Sequence, residues 1–152
     1  MKSLLIAGIT AILPAALAIA GEYPPTSAKS LSTVLTALEA AGLQDITEVD
    51  FDDGRWEIEA VRKGLAVQVL VDPRTAQIVH EERDDHFGEL PKSLMKLSTV
   101  VKQLEDAGYQ SITEIDLEGA GLEIDAVRAG TRYELRVDAR TGHITSERPR
   151  RL

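Results

Sequence analysis

Two kinds of hydrophobic spacing follow one another along the chain, and then both occur again. Leu31, Val34, Leu35, Leu38 and Ala41 recur at intervals of three and four and are followed by Gly42. Such spacing places them on one stripe of an amphipathic helix that stops at a glycine. Leu97, Val100, Val101, Leu104 and Ala107 repeat the arrangement before Gly108, so helices are expected over about 29–41 and about 94–107. After each helix the period drops to two. Trp56, Ile58 and Ala60 alternate with Arg55, Glu57 and Glu59, and Leu65, Val67, Val69 and Val71 alternate with Ala66, Gln68, Leu70 and Asp72. The second stretch keeps the pattern with Leu122, Ile124 and Ala126, then Tyr133, Leu135 and Val137. One buried and one wet face per strand is the antiparallel signature. Asp52-Asp53-Gly54, Lys63-Gly64 and Asp72-Pro73-Arg74-Thr75 supply the hairpin turns.

The recurrence is nearly literal. Leu31-Ser32-Thr33-Val34 returns as Leu97-Ser98-Thr99-Val100, and Ile46-Thr47-Glu48-Val49-Asp50 as Ile112-Thr113-Glu114-Ile115-Asp116. Glu57–Arg62 returns as Glu123–Arg128 and Val71–Thr75 as Val137–Thr141, every pair 66 positions apart without a gap. The chain is a duplication. Each copy reads as a helix followed by strands at about 45–51, 55–62, 66–72 and 77–81, with the second set 66 residues later. The expected fold is therefore α+β: a tandem repeat of a small unit, one helix packed on its own four-stranded antiparallel sheet, twice. The units are expected at 21–86 and 87–152, separated near His86–Pro91, with the two sheets in contact. In the last hairpin of the first copy, Ala76 stands where the second copy has Gly142. A type I turn with a bulge calls for a left-handed residue there.

Ahead of the first unit, Lys2 is followed by an apolar run from Leu4 to Ala20 that ends Ala18-Ile19-Ala20 before Gly21. A positive start, an apolar stretch and small residues at the cleavage positions describe a secretory signal peptide over 1–20. The mature protein would be periplasmic or extracellular, with no membrane association after cleavage. The formal charge of the 152-residue chain is −8, which argues against nucleic acid as a partner. Arg148, Arg150 and Arg151 form the one basic cluster, at an end expected to fray. The chain contains no cysteine, so it has no disulfide framework, thiol nucleophile or cysteine-ligated metal.

No catalytic pattern emerges. His80, His86 and His143 are not shared between the copies and lack metal-ligand spacing. There is no nucleophile elbow or phosphate-cradling glycine loop, and no enzyme, metal or cofactor is expected. The carboxylates carry more. Glu48, Asp50, Glu57 and Glu59 fall on the wet face of the first sheet, and Glu114, Asp116, Glu123 and Asp125 repeat them. They are either the polar face that alternation requires or an acidic platform for a basic partner surface or for calcium. Leu70 interrupts that polar face where its counterpart is Arg136. Trp56 is in register with Ile58 and is expected in the core. Arg62, Arg128, Arg74 and Arg140 are expected to pair with neighbouring carboxylates.

A helix followed by a meander, with Val137-Asp138-Ala139-Arg140-Thr141-Gly142 before the last strand, resembles the PepSY domain. Val71-Asp72-Pro73-Arg74-Thr75-Ala76 fits the same hairpin pattern apart from Ala76. The doubled arrangement also looks like β-lactamase-inhibitor-like proteins. The PepSY resemblance implies a regulatory or inhibitory domain, often linked to control of peptidases outside the cytoplasm, and brings no catalytic residues. The first expectation is an exported non-catalytic binding and regulatory protein whose sheet surfaces meet another protein, such as a peptidase. The alternative is a periplasmic small-ligand or cation-binding sensor component.

Overall fold

The computed structural model describes residues 22–85, 89–90 and 92–151. The expected signal segment 1–20, and His86, Phe87, Gly88 and Pro91 of the link, lie outside them. The chain runs α1 (Leu31–Ala40), β1 (Leu43–Asp52), β2 (Arg55–Arg62), β3 (Leu65–Val71), β4 (Ile78–Arg83), α2 (Leu97–Asp106), β5 (Gln110–Glu118), β6 (Gly121–Arg128), β7 (Thr131–Asp138) and β8 (Ile144–Pro149). Each strand falls where the two-residue alternation placed it, within a few residues at its ends.

The architecture corrects the expectation of two separate four-stranded sheets. There is one eight-stranded antiparallel sheet in the order β4-β3-β2-β1-β5-β6-β7-β8. Its seam is the pairing of β1 with β5, where Glu48, Val49 and Asp50 face Asp116, Ile115 and Glu114. Alternation fixes which face of a strand is buried but is silent about its edges. A four-stranded meander leaves the backbone donors and acceptors of β1 exposed along one edge. Pairing that edge with its repeat satisfies both at once.

Both helices then lie on the same face of the shared sheet. Val34, Leu35 and Leu38 of α1 and Val100, Val101 and Leu104 of α2 are buried in one core with Val49, Ile58, Val69, Ile115, Ile124 and Leu135. Trp56 belongs to it, 1% exposed and edge-on to Phe51 at 4.8 Å between ring centroids. The helices cap one another. The carboxylate of Glu105, near the end of α2, accepts from the backbone N–H of Ser32 (3.1 Å) and from its hydroxyl (2.5 Å). Glu39 of α1 does the same for Ser98, at 3.1 and 2.7 Å. Each carboxylate satisfies an orphan donor and sits at the positive end of the opposite helix.

The hairpins match the turn chemistry. Ala76 has φ 62° and Gly142 φ 72°, each donating its N–H to the backbone carbonyl of the aspartate that opens the turn, Asp72 or Asp138, at 2.8 Å. The ladder slips between Leu70 and Val71 and again between Arg136 and Val137, which is the expected bulge. Leu65, expected on the buried face, is 50% exposed beside the Lys63-Gly64 turn.

Candidate functional site

The continuous sheet turns two expected acidic patches into one. On the face away from the helices, one row across the strands reads Glu57, Asp50, Glu114, Asp125, and the next reads Glu59, Glu48, Asp116, Glu123. All eight sequence-predicted site residues are thus brought together as a two-by-four array centred on the seam. Every neighbour across a strand pairing within it is another carboxylate, an arrangement that opposes folding. Asp125 is buried, Glu114 is exposed and the other six are half-buried.

Crowding shows in the acid strengths. Lost hydration, then the charges of Glu59, Asp116, Asp50 and Glu57, push the Glu48 carboxyl up to about 7. Glu59 is raised first by lost hydration and then by Asp84, Glu57 and Asp116. Glu114 is raised first by lost hydration, with Asp116, Asp125 and Asp50 adding to it. Lost hydration also raises Asp116, against a lowering hydrogen bond shared with Glu114. Burial and like charges both penalise the ionised form.

Among the described residues, arginines engage two carboxylates of the array, Glu123 and Asp125, both in its second half. Arg132 reaches Asp125 at 3.3 Å, and Arg150 spans Asp125 at 3.4 Å and Glu134 at 3.0 Å. Arg136 spans Glu123 at 2.7 Å and Glu118 at 3.6 Å. Sixty-six positions earlier stand Ala66, Leu70 and Asp84. Among the described residues no lysine or arginine forms an ion pair with Glu48, Asp50, Glu57 or Glu59. Glu57 instead accepts from the side-chain amide of Gln68.

Arg132 and Arg150 carry most of this asymmetry, and sequence reasoning passed over their role. Comparing each wet-face position with its repeat partner would have exposed both, as it did Leu70 against Arg136. Arg150 also corrects the frayed tail: its N–H donates to the carbonyl of Arg132 at 2.9 Å, holding the guanidinium over Asp125 and Glu134. Arg62 pairs with Glu81 at 2.5 Å and Arg128 with Glu147, as expected. Arg74, in contrast, donates to the hydroxyl of Ser27 at 3.0 Å. Leu70 is half-buried on the wet face between Glu57 and His80. His80 and His143 are exposed and lie in different halves of the sheet, and His86 lies outside the described residues.

For a cation, the geometry points elsewhere. Among the described residues, the acidic group whose oxygens lie within 4.8 Å of one another is Glu22, Asp52 and Asp53, all exposed. Glu22 there accepts from the N–H groups of Asp53 (3.1 Å) and Gly54 (2.6 Å), clasping the hairpin tip. The array itself is spread along four strands and suits a surface contact.

Among curated protein sequences, none matches the chain. Solved structures give weak likenesses. A candidate lipoprotein of Clostridium difficile 630 is 12% identical with a TM-score of 0.41, over 86% of this chain and 97% of that one. The YpeB C-terminal domain of Bacillus megaterium is 12% identical with a TM-score of 0.33, over 86% and 70%. A BLIP-like protein of Bacteroides fragilis NCTC 9343 is 12% identical with a TM-score of 0.31, over 86% and 89%. Likenesses of that strength carry no functional argument. The family comparison does: its profile matches residues 4–82 and 88–148, one stretch for each copy of the repeat. The chain belongs to the PepSY family, described as peptidase propeptide and YPEB domain.

Proposed function

We propose that this protein is an exported, non-catalytic binding and regulatory protein whose acidic sheet face receives a basic surface of another protein. A peptidase is the partner class that the family description favours. The expected units, 21–86 and 87–152, each contribute half of that face after removal of residues 1–20. The observation that carries the reading is the eight-carboxylate array on one continuous, helix-free face. Crowding of like charge is a standing cost to folding, and a positive partner relieves it on contact. Oppositely charged faces also steer encounter, an effect that fades with added salt. The cation-sensor alternative has less support, because the array does not gather its oxygens around one point.

The test is capture of basic proteins from periplasmic extract by the mature chain and by a variant carrying Glu57→Gln, Glu59→Gln, Glu123→Gln and Asp125→Asn. The expected outcome is salt-sensitive capture that the variant loses while keeping its fold. Equal capture by both proteins, insensitive to salt, would remove the acidic face from the function.

A further inference from the structure

The two halves of the acidic face carry equivalent carboxylates in different surroundings. The repeat offset maps Glu123 onto Glu57 and Asp125 onto Glu59. In the second half these carboxylates are engaged by guanidinium groups of the chain itself, Arg136 on Glu123 and both Arg132 and Arg150 on Asp125. In the first half, Ala66 and Leu70 occupy the positions equivalent to Arg132 and Arg136. The carboxylates are kept and the arginines are not.

We propose that the β1–β3 half of the face is the docking surface for a protein segment bearing arginine side chains, which take the places held on the other half by Arg132 and Arg136. This rests on the proposed function and narrows it to one half of the face and to one chemistry. The internal pairs show why the guest is arginine. Arg136 uses both terminal nitrogens to span Glu123 and Glu118, and Arg150 uses both to span Asp125 and Glu134. A planar fork can bridge acids on adjacent strands, which a compact ammonium does not reproduce. Leu70, half-buried beside Glu57, offers an apolar floor for the aliphatic stem of such a side chain. The crowding that raises Glu48 and Glu59 is what a bound guanidinium would relieve.

The experiment is a titration of the full mature chain with a labelled oligo-arginine peptide, and with oligo-lysine of equal length, followed by anisotropy and by backbone amide shifts. Arginine peptide should bind more tightly than lysine peptide and shift amides of β1–β3. Glu57→Gln with Glu59→Gln should weaken binding by about tenfold or more, while Glu123→Gln with Asp125→Asn leaves it nearly unchanged. Ala66→Arg with Leu70→Arg should also abolish binding, by filling the face from within, while its backbone amide spectrum shows that the fold is kept. Undiminished binding by the Ala66→Arg, Leu70→Arg variant, or equal affinity for lysine peptide, overturns the proposal. Loss confined to the Glu123→Gln, Asp125→Asn variant overturns it while leaving the acidic-face function standing. Binding that survives all four carboxylate changes together removes both.

Discussion

The first and second halves of the sheet have the same strands, the same registers and the same four-acid pattern, yet differ in what stands around the acids. The second half carries Arg132, Arg136 and Arg150, two of them bridging between carboxylates, while the first half has Ala66, Leu70 and Asp84 in their places. The core positions tell the opposite story: Val34 and Val100, Ile58 and Ile124, and Val69 and Leu135 are all fully buried. Packing constrains both copies alike, because a change of volume is felt throughout a close-packed interior. The wet face is free of that constraint. There the copies have separated: Glu123 and Asp125 are paired with arginines, and Glu57 and Glu59 at the equivalent positions form no ion pair with a lysine or arginine among the described residues.

The sharpest way to break this comparison is to strip the second half of its cations. Arg132→Ala with Arg150→Ala leaves the buried carboxylate of Asp125 without its partners and should cost about 2–3 kcal/mol, less than a wholly enclosed pair because both guanidiniums are partly exposed. Urea denaturation measures it, and adding Asp125→Asn should recover most of the loss. A cost of a few tenths would mean that the arginines do not hold the second half together.

Next comes the response to pH. Glu48, Glu59, Glu114 and Asp116 are all raised in the native state, Glu48 to about 7. Between the ordinary carboxylate range and about 7 the native protein therefore binds more protons than the unfolded chain. Stability should fall as pH rises through that window and be greatest at its acid end. The backbone N–H groups of Thr75 and Arg74 lower Asp72, and those of Thr141 and Arg140 lower Asp138. That pair acts with the opposite sign, losing stability only as pH falls below the ordinary aspartate range. Urea midpoints at about pH 5 should exceed those at about pH 8, and Ala66→Arg with Leu70→Arg should flatten the slope. A midpoint that climbs with pH would contradict the like-charge picture.

Two smaller differences between the copies sharpen it further. Gly142 is left-handed, and an added Cβ would sit 2.5 Å from Gln103 Oε1 and 3.2 Å from Met95 Sδ. Gly142→Ala should cost about 1–2 kcal/mol, whereas Ala76→Gly relieves strain at φ 62° and should gain about 0.5–1 kcal/mol. The helix starts differ too. Ser30 accepts from the N–H of Thr33, while its counterpart Lys96 makes no side-chain cap. Lys96→Ser should stabilise by about 0.5–1 kcal/mol in thermal or urea unfolding, and a null result would mean that Glu39 already serves that helix end.

Much of this was legible beforehand because it is local. Helical spacing, strand alternation and turn residues act over a few positions, so α1, β2 and the Asp72–Gln77 hairpin could be placed from the chain alone. Ala76 could be assigned a left-handed backbone by comparison with Gly142, and all eight acids could be assigned to the wet face. The seam could not be read, because Val49 facing Ile115 is a pairing of edges and the alternation within a strand carries no record of its neighbours. For the same reason the acids looked like two patches of four, and Arg150, distant in sequence from Asp125, looked like a loose end.

The reciprocal caps of Glu39 and Glu105 have a consequence for time as well as for energy. Synthesis is vectorial, so α1 and β1–β4 exist before Glu105 and β5 have been made. Until then Ser32 lacks its acceptor and the inner edge of β1 has no partner. Closing them requires contacts between residues 59 and 73 positions apart, and such long loops close slowly relative to local hairpins. The inner edge of β1 and the start of α1 are therefore the last parts of the first half to gain their partners, and both partners come from the second half.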